Sequence, residues 1–356
     1  MYQKYLCIAI FICSAVTYTQ QNEQLLEMML PNENHSKLDS LTGFWEATCS
    51  VYNGSGKIVY EETGFCENKW VLGKRFVLLE HMFTSFHTAA IVGYDNFLQS
   101  YTAAHIDSES TGIHHFIGNV SQENSKTSFI LRGESIGFDG ELVSTVYIIE
   151  ISNHNHYKLK VHYEIDDKHL KVIEINFVRL DDATISRAQK QIDQFVANSF
   201  ARMSISDQKL QHLNPLVGQW KVESLIYDNA GNIIRVVEGA SDHRWIMMRK
   251  FVMMAAKMGD YESLSIIGYD KTKKAYVAAH ADNVGTSIYH SEGGKVKKEF
   301  KMYGTAMDYS TGEKTELTQT IKINNINSHT SEMYRQRDKE GLGISTLQMK
   351  ATRLQK

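Results

Sequence analysis

The sequence predicts an all-β protein built from two tandem antiparallel β-barrels that are joined by an amphipathic helix. Three observations predict this fold class: the chain length, an internal repeat, and short β-rich runs between turn residues. The 356 residues are enough for two domains at a usual size of roughly 150 residues each. With only two prolines and no low-complexity tract, the chain is expected to fold along nearly all of its length.

A repeat relates the two halves of the chain. The string Leu-Thr-Gly-Phe-Trp that ends at Trp45 is matched by Leu-Val-Gly-Gln-Trp ending at Trp220, a shift of 175 residues. The same shift relates further pairs, among them Gly56 and Gly231, Trp70 and Trp245, Phe76 and Phe251, and the Gly-Tyr-Asp strings at 93–95 and 268–270. Chance does not give so many matches at one offset, so the sequence predicts a duplication.

Each copy has the sequence texture of β-strands. Short runs rich in Val, Ile, Tyr, Phe and Thr, such as 57–60, 89–94 and 144–151, are separated by turn residues. Turn signals every 8 to 12 residues or so are typical of an all-β sandwich or barrel. We place copy one at residues 35–181 and copy two at residues 208–356.

In the segment between the copies, residues 182–207, the spacing of the apolar residues differs from that in the strands. Its apolar residues recur at spacings of three and four, which predicts an amphipathic helix. They are Ile185, Ala188, Ile192, Phe195, Val196, Phe200 and Met203. Residues 21–34 form an N-terminal segment in which 25–30 are a candidate for a shorter helix.

The first 20 residues have the layout of a secretory signal. Lys4 supplies a positive start, residues 6–16 form an apolar run, and residues 17–21 are small and polar. We therefore expect a mature protein that begins between Thr17 and Asn22 and is periplasmic or secreted. No later segment approaches the ~20 apolar residues of a transmembrane helix. The net charge of −3 offers no basic surface for nucleic acid.

Two cysteines, Cys49 and Cys66, are left once the signal is removed. An oxidising compartment favours their pairing. However, a tight turn at 53–56 would place Cys49 opposite Tyr60, several residues along the strand from Cys66 and beyond the ~7 Å Cα limit for a bridge. The sequence leaves the disulfide open.

Each copy opens with Gly-x-Trp and closes with an arginine on the last predicted strand. These residues are Gly43, Trp45 and Arg179 in copy one and Gly218, Trp220 and Arg353 in copy two. The pattern resembles the signature of the calycin superfamily, lipocalins included. The resemblance implies closed barrels in which the tryptophan lies across the barrel floor and the arginine packs over it, a cation–π contact of roughly 1 kcal/mol.

A longer string narrows the resemblance. It consists of Leu-x-x-Leu-x-Gly-x-Trp, Gly56-Lys57 in the first turn, Trp-Val-Leu-Gly-Lys-Arg-Phe at 70–76, Gly-Tyr-Asp, and Asp-Ser at 107. This string is similar to that of a bacterial calycin family, the domain of unknown function numbered fifteen seventy-nine, and covers nearly the whole mature chain twice. The resemblance implies a fold and no established activity.

Familiar catalytic motifs are absent from the sequence. It has no Gly-rich phosphate loop, no Gly-x-Ser-x-Gly, no His-Glu-x-x-His and no Cys-x-x-Cys framework. One constellation occurs in both copies. It comprises His105, Asp107 and His115, beside Tyr101, in copy one, and His280, Asp282 and His290, beside Tyr276, in copy two.

The predicted hairpin around residues 108–112 brings these side chains together. If Asp107 faces Ile113, then His105 faces His115 with Cβ atoms ~5 Å apart. Residues two apart on a strand project from the same side, so Asp107 joins the two histidines. Two histidines and a carboxylate are ligands for zinc or iron, and a His-Asp pair can serve as a general acid and base.

The alternative is a surface ladder in which the aspartate only caps its turn. The opposite side of the same strands is more apolar, with Ile91 and Ile106, which favours histidines that face outward. Thr88, Ala90 and Val92 lie beside the histidines and are small enough to leave an inner cavity. The direction in which the cluster faces stays open.

Three functions are compatible with these residues. We favour a binding module that holds a small apolar or amphipathic molecule in each barrel mouth. The alternative is an enzyme of the isomerase, lyase or hydrolase type that uses the His-Asp-His cluster, with or without a metal. The third is a structural role in which the barrels present surfaces to a partner protein.

Overall fold

A computed structural model describes residues 25–123, 126–166, 168–186, 190, 207–228, 231–308, 313–336 and 343–354. Within these residues the chain forms two closed antiparallel barrels of ten strands each, which confirms the predicted all-β fold. Residues 182–186 are helical, whereas the predicted signal segment and most of the predicted connector helix lie outside the described residues. No helix in the described part is long and apolar enough to cross a bilayer.

Barrel one takes its strands from copy one. They are β1 (Gly43–Tyr52), β2 (Ile58–Val71), β3 (Phe76–Met82), β4 (His87–Asp95), β5 (Ser100–Asp107), β6 (His114–Glu123), β7 (Lys126–Ile136), β8 (Leu142–Asn153), β9 (His156–Ile165) and β10 (Lys168–Arg179). Each strand pairs with the next along the chain, and β1 closes the barrel by pairing with β10.

Barrel two repeats this order with copy two. Its strands are β11 (Gly218–Tyr227), β12 (Ile233–Ile246), β13 (Phe251–Met258), β14 (Tyr261–Asp270), β15 (Ala275–Asp282), β16 (Tyr289–Val296), β17 (Glu299–Asp308), β18 (Glu313–Asn325), β19 (Ser328–Gln336) and β20 (Gly343–Arg353). The pairing of β11 with β20 closes it.

Short helices precede the first strand of each barrel and cover one of its ends. In barrel one a single helical turn, Glu33–Ser36, runs into the 3₁₀ helix Lys37–Leu41, whose Leu41 is fully buried. In barrel two the equivalents are Gln208–Gln211 and Asn214–Leu216. We call this end of each barrel the plugged end and the opposite end, where β5 meets β6 or β15 meets β16, the loop end.

The floor of barrel one, which is the interior beneath its plug helices, follows the calycin pattern. The Trp45 indole is fully buried and donates its N–H to the Leu41 carbonyl over 3.1 Å, while the Arg179 guanidinium lies 4.1 Å from the ring centre. Arg179 Nη1 also donates to the Thr42 carbonyl over 2.7 Å. Gly43 has φ +123°, and any Cβ there would collide with Arg179 Nη1. Gly43, Trp45 and Arg179 therefore form one closure unit.

Barrel two closes in the same way. Trp220 donates to the Leu216 carbonyl over 2.9 Å, and the Arg353 guanidinium lies 4.2 Å from its ring centre. Gly218 has φ +140° and would collide with Arg353 if it carried a Cβ. Both tryptophans therefore lie beneath the plug helices of their own barrels.

Cys49 and Cys66 are buried inside barrel one as free thiols. Cys49 lies opposite Glu62, not opposite Tyr60, and Cys66 lies opposite Trp45. The predicted register was wrong because the β1–β2 turn is one residue longer and a bulge follows between Val51 and Tyr52. The two thiols remain several residues apart along the sheet, so the structure contains no bridge between them.

Candidate functional site

The β5–β6 pairing differs from the prediction by one residue. His105 lies opposite His114, and His115 lies opposite Ala104. Because side chains alternate between faces, a slip of one residue moves His115 to the outer face of the sheet. The predicted His105–Asp107–His115 cluster is therefore wrong.

The Asp107 carboxylate explains the slip. Its Oδ1 accepts a hydrogen bond from the Glu109 amide over 2.7 Å and another from the Ser110 amide. This cap holds residues 108–113 as a loop. Eight residues, 106–113, separate His105 from its partner, one fewer than the nine of the predicted register. Asp107 thus caps its turn, as the alternative of a surface ladder predicted, although its carboxylate lies on the inner face of the barrel.

Copy two shows the same slip. His280 lies opposite Tyr289, while His290 lies opposite Ala279 and on the outer face. Asp282 caps its loop by accepting from the Val284 amide over 2.8 Å and the Gly285 amide over 3.1 Å. The predicted cluster of His280, Asp282 and His290 is wrong for the same reason.

Tyr101 and Tyr276 do not lie beside the histidines either. The Tyr101 hydroxyl donates to the Asn34 carbonyl over 2.8 Å, and the Tyr276 hydroxyl donates to the Lys209 carbonyl over 3.0 Å. Four strand residues separate Tyr101 from His105, about 13 Å at a rise of about 3.3 Å per residue. Both tyrosines hold the plug helices and face the inner space from the plugged end.

His105 and Asp107 face the interior of barrel one near the loop end. The His105 ring lies 5.5 Å from Tyr147 and 6.4 Å from the core residue Phe116. Two inner histidines that were absent from the predicted cluster join them, His81 on β3 and His114 on β6. Strict alternation from Val77 along β3 would have identified His81 as inward.

Burial keeps the central imidazoles of barrel one neutral. It lowers the pKa of His81 to about 3, with a smaller contribution from His105. It also lowers the pKa of His105 to about 4, because desolvation and His114 outweigh the attraction of Asp107. Among the described residues, no group of three or more His, Cys, Asp or Glu side chains is arranged to hold a metal ion. The ligand set that a zinc or iron ion would have needed at the predicted clusters is not assembled among these residues.

Barrel two carries a different polar cluster near its loop end, at the positions that match those around His105 in barrel one. Ser265 lies directly opposite His280, and its Oγ is 2.7 Å from His280 Nδ1. His280 Nε2 is 3.6 Å from Asp282 Oδ2, and the Tyr261 hydroxyl is 3.5 Å from both of these atoms.

The Asp282 carboxyl is held in its charged form. Burial acts to raise its pKa, but His280 and the amides of Gly285 and Val284 outweigh burial, so the pKa is lowered. Ser265 and Tyr261 escaped prediction because copy one has Ala90 and Phe86 at the matching positions. A search for residues shared by the copies discards them.

The floor of barrel two is also more polar than that of barrel one. His329 packs against Trp220, with ring centres 4.6 Å apart, and lies 5.6 Å from His243. Burial lowers the pKa of His329 to about 3 and that of His243 to about 4. His243 Nδ1 donates to the Leu216 carbonyl over 2.9 Å, whereas neither nitrogen of His329 has a hydrogen-bond partner. The Ser241 Oγ beside them also lacks one.

Barrel one satisfies the matching floor position with Tyr157. The Asn68 amide donates to the Tyr157 hydroxyl over 2.9 Å and to the Leu41 carbonyl over 2.9 Å. The Tyr157 ring stacks on Phe177 with centres 4.1 Å apart. Ala351 stands at the place of Phe177 in barrel two, directly opposite His329.

The loss of aromatic side chains extends through the interior of barrel two. In barrel one Phe116 stacks on Tyr147 with ring centres 4.3 Å apart. The strand registers place Ser291 and Gln319 at these positions in barrel two. Replacements toward smaller side chains include Phe116 by Ser291, Tyr147 by Gln319, Tyr157 by His329 and Phe177 by Ala351.

Comparison with known proteins places the chain in a family. The family model described as "Protein of unknown function (DUF1579)" matches residues 30–179 and again residues 206–353. No curated protein matches the chain. The two matches coincide with the two barrels and their plug helices.

Solved structures show only remote likeness. A protein of unknown function from the DUF3598 family of Nostoc punctiforme PCC 73102 is 12% identical, with a TM-score of 0.25, over 91% of this chain and 100% of that chain. A double mutant of Transferrin Binding Protein B from Haemophilus parasuis Hp5 is 7% identical, with a TM-score of 0.20, over 88% of this chain and 76% of that chain. Scores this low carry no functional inference. By the two family matches and the two closure units, the chain belongs to the DUF1579 family and contains its domain twice.

Proposed function

We propose that this chain binds a small amphipathic molecule and that the interior of barrel two is the main binding site. One observation carries the proposal. Both nitrogens of His329 and the Ser241 Oγ are buried at the barrel floor without hydrogen-bond partners, although only 7% of His329 and 5% of Ser241 are exposed.

Unpaired buried polar atoms are costly. Each donor or acceptor left without a partner costs about 1–3 kcal/mol, because it has given up its hydrogen bonds to water. The Trp220 ring, whose centre lies 4.6 Å from that of His329, can satisfy at most one His329 nitrogen through a weak N–H contact to an aromatic face. A molecule that offers a donor and an acceptor at this floor would remove the penalty and gain the difference as binding free energy.

Space for such a molecule follows from the side chains that barrel two lacks. Stacked aromatic rings fill barrel one at the positions where barrel two has Ser291, Gln319 and Ala351. Val222 in place of Ala47 and Tyr289 in place of His114 are larger side chains and return part of this volume. Ligand pockets are typically apolar spaces with a few convergent polar groups, and this interior has that composition.

The charges of the lining residues select the ligand class. Burial keeps His329 and His243 neutral at pH 7 because their pKa values are about 3 and 4. The floor therefore offers hydrogen bonds without charge. Met258 and Met349 line the apolar wall near Trp220, and methionine adapts to irregular apolar shapes. We propose a ligand with an uncharged polar group and an apolar body, which enters from the loop end.

A titration with N-phenyl-1-naphthylamine, a neutral fluorescent molecule with one N–H group, tests this proposal. The full chain should enhance its fluorescence, and His329→Tyr, which introduces the residue of barrel one, should weaken binding about tenfold or more. Tyr157→Phe is the matched control in barrel one and should leave the titration unchanged. Equal titrations for wild type and His329→Tyr would contradict the site.

We also propose that the chain is exported, on the strength of the signal-like layout of residues 1–20. N-terminal mass spectrometry of the protein from its natural host should find a chain that begins between Thr17 and Asn22. Recovery of a chain that still contains Lys4 would contradict export.

A further inference from the structure

We infer that Ser265, His280 and Asp282 form a nucleophilic relay that hydrolyses small neutral esters inside barrel two. The inference deepens the proposed function, since the substrate occupies the same interior as the ligand. It rests on the cross-strand geometry of the three side chains, on their position on the inner wall and on their absence as a set from barrel one.

The strand pairing holds the nucleophile against its base. Ser265 on β14 and His280 on β15 are directly opposed, and the distance from Oγ to Nδ1 is 2.7 Å. Serine becomes a nucleophile when an adjacent base takes its proton. Because both residues lie on paired strands, the backbone fixes their contact more firmly than a loop would.

The carboxylate orients the imidazole. Asp282 Oδ1 accepts from the amides of Val284 and Gly285, which fixes the side chain. Its Oδ2 is 3.6 Å from His280 Nε2. A carboxylate on this side favours the tautomer with the proton on Nε2 and leaves Nδ1 free to accept the proton of Ser265.

Tyr261 completes the wall around the base. Its hydroxyl is 3.5 Å from His280 Nε2 and 3.5 Å from Asp282 Oδ2. Ser265, His280 and Asp282 are all partly exposed although they face inward. An inward side chain that remains partly exposed is within reach of a small molecule that enters the barrel.

The reaction balances without any further reagent. Ser265 Oγ attacks the ester carbonyl carbon as its proton passes to His280 Nδ1. The carbon–oxygen bond of the leaving alcohol then breaks, and His280 returns the proton to that oxygen. Water repeats the two steps on the acyl-serine, so ester and water give acid and alcohol.

Barrel one provides an internal control. It retains His105 and Asp107, but Ala90 stands in place of Ser265 and Phe86 in place of Tyr261. The His105 imidazole therefore faces a methyl group across the strands. Only one of the two barrels should form an acyl-enzyme.

Covalent labelling of the full chain tests the inference. Diisopropyl fluorophosphate should add one phosphoryl group per chain, at Ser265 by tandem mass spectrometry. Hydrolysis of p-nitrophenyl butyrate should fall on the order of a hundredfold or more in Ser265→Ala. Ser265→Ala introduces the residue that barrel one has at this position, so the variant should fold. Ser263→Ala, two residues away on the same face, is the matched control and should keep its rate and its label.

The positioning role of Asp282 has its own readout. Asp282→Asn keeps an oxygen to cap the loop but removes the charge, so kcat should fall while KM changes little. The relay is overturned if wild type binds N-phenyl-1-naphthylamine yet neither takes the label nor hydrolyses the ester. It is equally overturned if Ser265→Ala keeps the wild-type rate. Failure of the wild type to bind the fluorescent molecule would instead contradict the binding proposal.

Discussion

Barrel one and barrel two share their closure but differ in what they enclose. The arginine–tryptophan distances agree at 4.1 and 4.2 Å. Inside, stacked aromatic pairs pack barrel one, whereas barrel two has Ser291, Gln319 and Ala351 at three of the four positions of these rings. After duplication, the residues that close a barrel have stayed and the residues that fill it have diverged.

The buried histidines of the two barrels illustrate this difference. In barrel one, His81 and His105 each hold a nitrogen without a hydrogen bond, but His81 packs 5.0 Å from Phe177 and His105 packs 5.5 Å from Tyr147. Aromatic faces accept such N–H groups weakly. In barrel two, His329 lies directly opposite Ala351 and packs against Trp220 with ring centres 4.6 Å apart, and neither of its two nitrogens has a hydrogen-bond partner. These contacts support the proposal that barrel one is filled by its own side chains and that barrel two accepts a ligand.

Truncation of the floor tryptophans should produce the largest change. Trp45→Ala and Trp220→Ala should each lower the free energy of unfolding of their own barrel by ~3–5 kcal/mol, because a large buried aromatic is lost. Trp45→Ala should be the more costly, since the denser core of barrel one cannot collapse around the cavity. Hydrogen exchange read separately for the two barrels measures this. Equal loss of protection in both barrels by either variant would refute independent floors.

Acid should also destabilise both barrels. His81 and His105 have native pKa values of about 3 and 4, below the unfolded value of about 6.5, so the unfolded chain binds more protons between these values. Stability should therefore be full above pH 6.5 and fall as the pH is lowered toward 4. Denaturant unfolding at several pH values checks the sign.

One variant tests whether the buried histidines of barrel one cause the pH dependence of its stability. His81→Ala introduces the residue found at the matching position of barrel two, Ala256. The pH dependence of barrel one should flatten while that of barrel two, which depends on His243 and His329, stays as it was. Stability that rises on acidification in the wild type would contradict neutral buried imidazoles.

Removal of the closing arginines should have the smallest effect and the same one in both barrels. Arg179→Met and Arg353→Met each lose a cation–π contact of roughly 1 kcal/mol and leave carbonyl groups without their donor, so about 2 kcal/mol is expected in total. Thermal unfolding of the two variants should give shifts of similar size. A shift confined to one barrel would show that the closure units are not equivalent.

The fold was predictable because its signals are local and repeated. The Gly-x-Trp openings, the closing arginines and the 175-residue shift located both barrels and their floors. The registers were not predictable in the same way. At the capped loop after Asp107, the connection between His105 and its partner is one residue shorter than predicted, and that single residue sends His115 outward.

The candidate site lies at positions where the two copies differ, whereas the fold is predicted by positions that they share. A comparison of the copies selects shared residues, such as His105 and His280, and discards differences, such as Ala90 against Ser265. His329 stands where copy one has Tyr157, and its alignment requires the strand pairing near the C-terminus. Function in a diverged duplication is to be sought where the copies differ.

The stoichiometry of small-molecule binding tests the central claim most directly. Isothermal titration of the full chain with N-phenyl-1-naphthylamine should give one site. Ser291→Phe introduces into barrel two the ring that fills barrel one and should abolish binding. Phe116→Ser changes barrel one and should leave the site in barrel two intact. The predicted result is one site in the wild-type chain and no site in the Ser291→Phe chain. Wild-type chain that binds no probe, or Ser291→Phe chain that binds it as tightly as wild type, would contradict the assignment of ligand binding to barrel two.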